Sequence, residues 1–167
     1  MDLIRIRPAR PDEIPRIVEL WDELMAMHEG LDPRFTRRPS ANEAFEMFAR
    51  HNTQSEAAIV LVAEVDGAVV GFCMAVEAEL PPVFEVGPIG EIYDLVVAEH
   101  CRRRGIGRRL VDGVCNWARE RGLDRVDLRA SVNNPDALAF WRAIASPFLE
   151  TLTINPNAEP PDGATRG

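Results

Sequence analysis

The sequence predicts one α/β domain, a mixed central sheet of about six strands flanked by about four helices. Three observations predict it. Short alternating or continuously apolar segments interleave with segments whose apolar residues recur at helical spacing. Two apolar runs flank Asp66-Gly67, the pattern of a tight hairpin. A chain of 167 residues with 46% hydrophobic side chains can bury one core. No repeat or internal linker divides it, so the domain is expected over 1–154, followed by a disordered, proline-rich tail over 155–167.

Taken in order, Leu3-Ile4-Arg5-Ile6-Arg7 alternates as a half-buried strand does. Pro11 stands at a first helical position with Asp12 and Glu13 in the first turn; Ile14, Ile17, Val18, Trp21, Leu24 and Met25 follow at helical spacing, and Gly30 closes the helix. Ser40 is the expected N-cap of a shorter helix over 41–51. Residues 57–65 and 68–74 form the hairpin. The stretch 77–91, with three prolines, four glutamates and no basic residue, reads as an acidic surface loop. A strand over 92–97 runs into a loop, then a helix carrying Ile106, Leu110, Val114 and Trp117 that ends at Gly122. Val126, Leu128 and Ala130 alternate as a strand, Asn134 caps a helix carrying Leu138, Trp141 and Ile144, and a last strand is expected near 148–154.

The loop has the most unusual composition in the chain. Residues 102–109, Arg-Arg-Arg-Gly-Ile-Gly-Arg-Arg, put five arginines and two glycines into a protein of net charge −8. Between a strand and a helix, its successive backbone N–H groups lead to the positive end of the helix, an anion site suited to phosphate or pyrophosphate. Glycine lets a ligand approach the backbone closely, and arginine adds charge-assisted hydrogen bonds.

Other classes fit less well. All 19 basic residues are arginine, which removes lysine Schiff-base chemistry and the lysine-containing phosphate loop. A dinucleotide fingerprint would need a third glycine where Leu110 stands, directly after the first strand. Nucleic acid would meet 27 acidic side chains across the remaining surface. Three cysteines form no paired framework and no CxxC, and His28, His51 and His100 have no ligand spacing, so no metal is expected. No apolar run approaches the roughly 20 residues of a membrane span, and the N-terminus is unlike a signal peptide. A cytoplasmic protein is expected.

In its setting, "LVVAEHCRRRGIGRRL" resembles the acyl-CoA-binding motif of the Gcn5-related N-acetyltransferase (GNAT) family. "LVAEVDGAVVGF" resembles the family's central hairpin, and "RASVNNPDALAFW" its following strand and Asn-capped helix. The resemblance extends over residues 3–154. It implies acetyl-CoA as co-substrate and direct transfer to a primary amine in a ternary complex, without a covalent intermediate on Cys101. It implies that the loop Arg102, Arg103, Arg104, Gly105, Ile106, Gly107 and Arg108 binds the pyrophosphate, with the amides of 103–108 as its cradle. The main chain of Leu95, Val96 and Val97 would pair with the pantetheine arm, near Asn134 and Trp141. The strands holding Val97 and Ala130 would splay at a bulge to admit the thioester. Dimers are common in the family, so a homodimer is one expected state.

Two positions depart from the family pattern. Trp141 stands where many members carry a tyrosine that protonates the departing thiolate, and Ala145-Ser146-Pro147-Phe148 replaces a common Gly-Phe. The missing tyrosine raises an alternative, a non-catalytic acyl-CoA-binding or sensing module.

Catalysis of amine acetylation needs a neutral nucleophile, and deprotonating an alkylammonium of pKa near 10 at pH 7 costs roughly 4 kcal/mol. Glu91 and Asp94 beside the loop are the candidate bases, with Glu79 and Glu85 further out. Strict alternation would put Tyr93, the only tyrosine and a candidate for acceptor contact or acid, on the face opposite Asp94. The acidic surface favours a cationic acceptor such as a polyamine, an aminoglycoside-like amine or a basic peptide N-terminus.

Overall fold

The structure, a computed structural model, describes residues 3–83 and 85–156. Its elements are β1 (Ile4–Pro8), α1 (Ile14–Leu31), α2 (Ala41–Gln54), β2 (Ala58–Val65), β3 (Ala68–Ala78), β4 (Ile89–Val97), α3 (Ile106–Glu120), β5 (Val126–Leu128) and α4 (Pro135–Arg142). The strands form one mixed sheet in the order β1-β2-β3-β4-β5, antiparallel except for the parallel β4–β5 pair. The hairpin forms where Asp66-Gly67 predicts it: both residues have positive φ, 50° and 83°, as the favoured two-residue turn requires.

Helices α1 and α2 cover one face, where Phe45 on α2 stacks with Trp21 on α1 and its ring lies 6.3 Å from that of Phe72 on β3. Helix α3 covers the other. Its Gly113 faces Leu61 of β2 and Ile6 of β1, so that a Cβ there would come within 2.6 Å of the Leu61 side chain. Between these layers Ile14, Ile17, Leu20, Phe72, Met74, Ile106, Leu110 and Val114 are fully buried. No helix among the described residues is long and apolar enough to cross a membrane.

Several boundaries differ from the sequence reading. Residues 77–91 are not wholly a loop, because Glu77 and Ala78 pair with Gly90 and Ile89 and carry both strands further. Helix α2 runs on to Gln54, and Ser40 holds the cap position without a side-chain cap bond. Helix α1 continues through Gly30 to Leu31. Residues 148–154 form no strand, which leaves five strands among the described residues. The nearest edge, β5, is only three residues long, and Pro147 removes a donor just before the segment. Phe148 instead lies under the Arg125 guanidinium, and Leu149, Leu152 and Ile154 are exposed. The expected tail falls outside the described residues beyond 156.

A part-buried ion cluster centred on Glu13 ties β1 to the start of α1. Arg7 grips Glu13 with two bonds, of 2.6 and 2.9 Å, and reaches Glu64 on β2 at 2.5 Å. The Arg10 main-chain N–H also donates to Glu13, at 2.8 Å. These donors hold the Glu13 carboxyl near 2, below its ordinary 4.5. Its stabilisation is therefore complete above pH 4.5 and is lost as pH falls toward 2. Glu13→Gln should lower unfolding free energy at pH 7 by roughly 3 kcal/mol. Urea titrations across pH 2–7 should show that the variant loses much of the wild type's decline below pH 4.5.

Candidate active site

The site begins where β4 leaves β5. The parallel pairing covers only Gly90↔Val126, Glu91↔Asp127 and Ile92↔Leu128, although β4 continues for five more residues. On its other side, β4 pairs Ile92 with Ala75 and Asp94 with Met74, so Tyr93 is an extra residue in a bulge. The bulge shifts the alternation. Before it, the Gly90 N–H donates to the Arg125 carbonyl toward β5, at 2.9 Å; after it, the Ala98 N–H donates to Val70 on β3, at 2.8 Å. The ladder therefore turns the main-chain groups of Val96 toward β3 and those of Leu95 and Val97 toward the opening. The splay thus starts at Tyr93, and Ala130 lies beyond the end of β5.

The shift also overturns the expectation that Tyr93 and Asp94 occupy opposite faces. The Tyr93 ring lies 5.6 Å from Phe48 on α2, and Asp94 accepts a hydrogen bond from the Trp21 indole on α1. Both residues therefore stand on the side of the sheet covered by α1 and α2. Tyr93 is exposed. Burial pushes the Asp94 carboxyl up to about 6, against the hydrogen bond from Trp21, which lowers it. Glu91 is tied to Arg129 at 3.1 Å. Glu79 and Glu85 are exposed on the connection between β3 and β4.

The opening is a cleft of about 610 Å³. One wall is Leu95, Val96 and Val97; its end is the arginine loop; the opposite wall is Asn134, Ala137, Phe140 and Trp141 at the start and along α4. Thus Arg102, Arg103, Gly105, Ile106, Gly107 and Arg108 line the same space as Leu95, Asn134 and Trp141, as the motif implies, and Arg104 is exposed beside them. Arg103 has φ 63° and Gly105 φ 78°, two left-handed residues in three. For arginine that conformation costs about 1–2 kcal/mol, tolerated where the surroundings enforce it. Gly105 stands at the N-cap of α3 and supplies no side-chain cap bond. Arg108 is paired with Asp112 at 3.0 Å, and Arg102 donates to the Val97 carbonyl at 3.1 Å, bracing the loop against the strand.

On the far wall, the Asn134 side chain accepts from the Ala137 N–H at 3.1 Å and so caps α4 as its sequence position predicts. Its amide nitrogen lies 3.5 Å from the His28 ring, and Asn133 donates to Asp32 at 2.9 Å. These contacts moor α4 to the end of α1. Sequence reasoning missed Leu24, Met27, Cys101, Asp136, Ala137 and Phe140, which complete the lining. Leu24 carries only a core-helix signal in the sequence, and Phe140 sits beside the departure at Trp141. Among the described residues, no cluster of His, Cys, Asp or Glu could hold a metal ion.

A strand that parts from its parallel neighbour above a glycine-arginine loop at a helix N-terminus forms a cleft suited to an extended ligand that ends in an anion. The acetyltransferase (GNAT) family model matches residues 18–145, and the chain belongs to that family. It is thereby an N-acetyltransferase with acetyl-CoA as co-substrate. An uncharacterized N-acetyltransferase of Archaeoglobus fulgidus is 30% identical over 139 residues, 83% of this chain and 89% of the relative. A mutant of the BH1408 protein of Bacillus halodurans superposes with a TM-score of 0.80 at 20% identity, covering 91% of this chain and 98% of that one. Aminoglycoside N-acetyltransferase AAC(6')-Iy, solved in complex with CoA, gives 0.74 at 16% identity over 95% of this chain and 97% of its own.

Asp94 yields a stability test. A carboxyl raised from 3.8 to about 6 destabilises the fold progressively as pH rises between those values. Asp94→Asn keeps an acceptor for Trp21 and removes the buried charge. It should be more stable than wild type at pH 8 by about 1–2 kcal/mol and equal to it near pH 4, as read by thermal melts at the two pH values.

Proposed function

We propose that the protein acetylates the primary amine of a small cationic molecule by direct transfer from acetyl-CoA in a ternary complex. One observation carries this reading: the main chain of Leu95 and Val97, released from β5, runs along a cleft that ends at a helix N-terminus. The groups fit the ligand. Outward-turned amide and carbonyl groups match the two amides of a pantetheine arm, and the left-handed turn before α3 aims amides of 103–108 at a pyrophosphate. Asn134 and Trp141 would hold the arm from the α4 side. Acetyl-CoA supplies an activated thioester.

Asp94 is the base in this scheme. Its carboxylate accepts the proton shed by the arriving ammonium, and the value near 6 leaves it ionised at neutral pH while still basic enough to act. The amine nitrogen attacks the carbonyl carbon, a C–N bond replaces the C–S bond, and the electron pair leaves on sulfur. The thiolate takes its proton from protonated Asp94 or from water, so no residue in the place of Trp141 has to donate one. Exposed Tyr93 contacts the acceptor. Glu91, held by Arg129, maintains the strand ends. The acidic surface and the likeness to an aminoglycoside N-acetyltransferase fold support a cationic amine. Acyl-CoA use and unpaired thiols support a cytoplasmic setting.

Calorimetric titration with acetyl-CoA should give saturable binding that Gly105→Glu abolishes, because the substitution adds a negative charge and a side chain at positive φ. Binding unaffected by that variant would refute the cradle. With an amine substrate, free-thiol release should show kcat/KM rising through a limb near pH 6 that Asp94→Asn lacks, together with at least a hundredfold loss of rate.

A further inference from the structure

A second cavity, of about 470 Å³, opens between α1 and α2. Its apolar lining is Trp21, Phe45 and Phe48, and Arg37 and Arg38 stand at its rim. Three connections lead from it toward β4 and the first cleft. Trp21 donates its indole hydrogen to Asp94. Phe48 packs against Tyr93. Along α1, Trp21 stands three residues before Leu24, which lines the first cleft, a step of roughly 4.5 Å along the helix axis.

The two arginines differ in their electrostatic state. Arg37 is engaged: it pairs with Asp22 at 2.7 Å and Glu29 at 3.1 Å, and it lies over the Trp21 ring. Arg38 is exposed, and among the described residues its guanidinium has no ion-pair partner. A protein of net charge −8 thus presents one unmatched cation at the mouth of an aromatic pocket. Asp94 does not line the pocket itself but is joined to it through the Trp21 indole that bonds it, next to Tyr93, on which Phe48 packs. The pocket therefore offers a positive group and an apolar surface, and two of its aromatic walls, Trp21 and Phe48, touch Asp94 and Tyr93.

We propose that this pocket seats the acceptor, and that the acceptor is an amphipathic amino acid-like molecule. Its carboxylate pairs with Arg38, its apolar or aromatic body lies on Trp21 and Phe48, and its amine is delivered at Asp94. The planar fork of arginine suits a carboxylate in two-point contact. In solution such a molecule is a zwitterion, so its ammonium matches the acidic surface while its far end matches Arg38. The inference rests on the acetyltransferase reading of the first cleft and revises its acceptor: the cation stays at the reacting end, and a carboxylate stands at the other.

The test uses three amines of one shape: 4-(aminomethyl)benzoate, benzylamine, which lacks the carboxylate, and p-xylylenediamine, which carries a second cation in its place. The full-length wild type, assayed by thiol release, should prefer the carboxylate-bearing amine over benzylamine by about tenfold in kcat/KM and should disfavour the diamine. In Arg38→Gln the first ratio should fall to within about twofold of unity. In Arg38→Glu the order should invert, favouring the diamine, an outcome that a misfolded variant cannot give. Equal use of all three by the wild type, or an order unchanged in both variants, overturns the proposal. Calorimetry of the same three amines with the CoA-loaded protein separates the two readings. Should no amine turn over, Arg38-dependent binding of the benzoate still upholds the pocket assignment while the catalytic reading fails; equal or absent binding of the three refutes the pocket.

Discussion

The site depends on one interrupted pairing, the point after Ile92 and Leu128 where β4 and β5 stop sharing hydrogen bonds. A strand in mid-sheet that loses a neighbour exposes main-chain donors and acceptors, which a protein interior does not tolerate without partners. In this chain the exposed groups belong to Leu95 and Val97, and Arg102 satisfies one of them, the Val97 carbonyl. The bulge at Tyr93 makes the exposure directional. It lets β4 keep its ladder with β3 while the groups on the other side turn into the cleft. The same shift by one residue brings Tyr93 and Asp94 to the side of α1 and α2. One extra residue thereby sets both which main-chain groups of β4 face the cleft and which side chains face α1 and α2.

Charge is divided between the cleft and the side of β4 that faces α1 and α2. The arginine loop lies at the far end of the cleft, and its most constrained residues, Arg103 and Gly105, hold the left-handed turns that start α3. The carboxyl that lines the cleft itself is Asp136 on α4, whereas on the α1 and α2 side of β4 Asp94 is half-buried and accepts one indole hydrogen bond. Burial and that bond act in opposite directions on its proton, and burial wins. The acidity of the chain as a whole thus leaves the loop locally positive, and the second cavity carries a smaller inversion at Arg38.

Much of this was legible in the sequence because it rests on local chemistry. Asp66-Gly67 dictates its hairpin, Asn134 its cap, and the run from Leu95 to Arg108 its strand, loop and helix. The residues named for the cofactor lie around one cleft, Arg104 beside it, while the lining contributed by α1 and most of α4 has no such local signal. What was not legible depends on distant partners. Alternation separates Tyr93 from Asp94, and nothing in their own neighbourhood signals a bulge, which arises from how β3 and β4 register against each other. Residues 148–154 have strand composition but face an edge too short to pair with. Trp21 and Leu24 read as core positions of an amphipathic helix, and only their placement across from β4 makes them walls of a site.

The most direct measurement is residue-resolved amide hydrogen exchange with and without acetyl-CoA. The account predicts at least tenfold slower exchange on binding at Leu95 and Val97 and through residues 103–108, with Val96, already bonded within the sheet, little changed. Protection confined to other elements, or equal effects at Val96 and its two neighbours, would contradict the claim that the bulge turns alternate main-chain groups of β4 toward the cofactor.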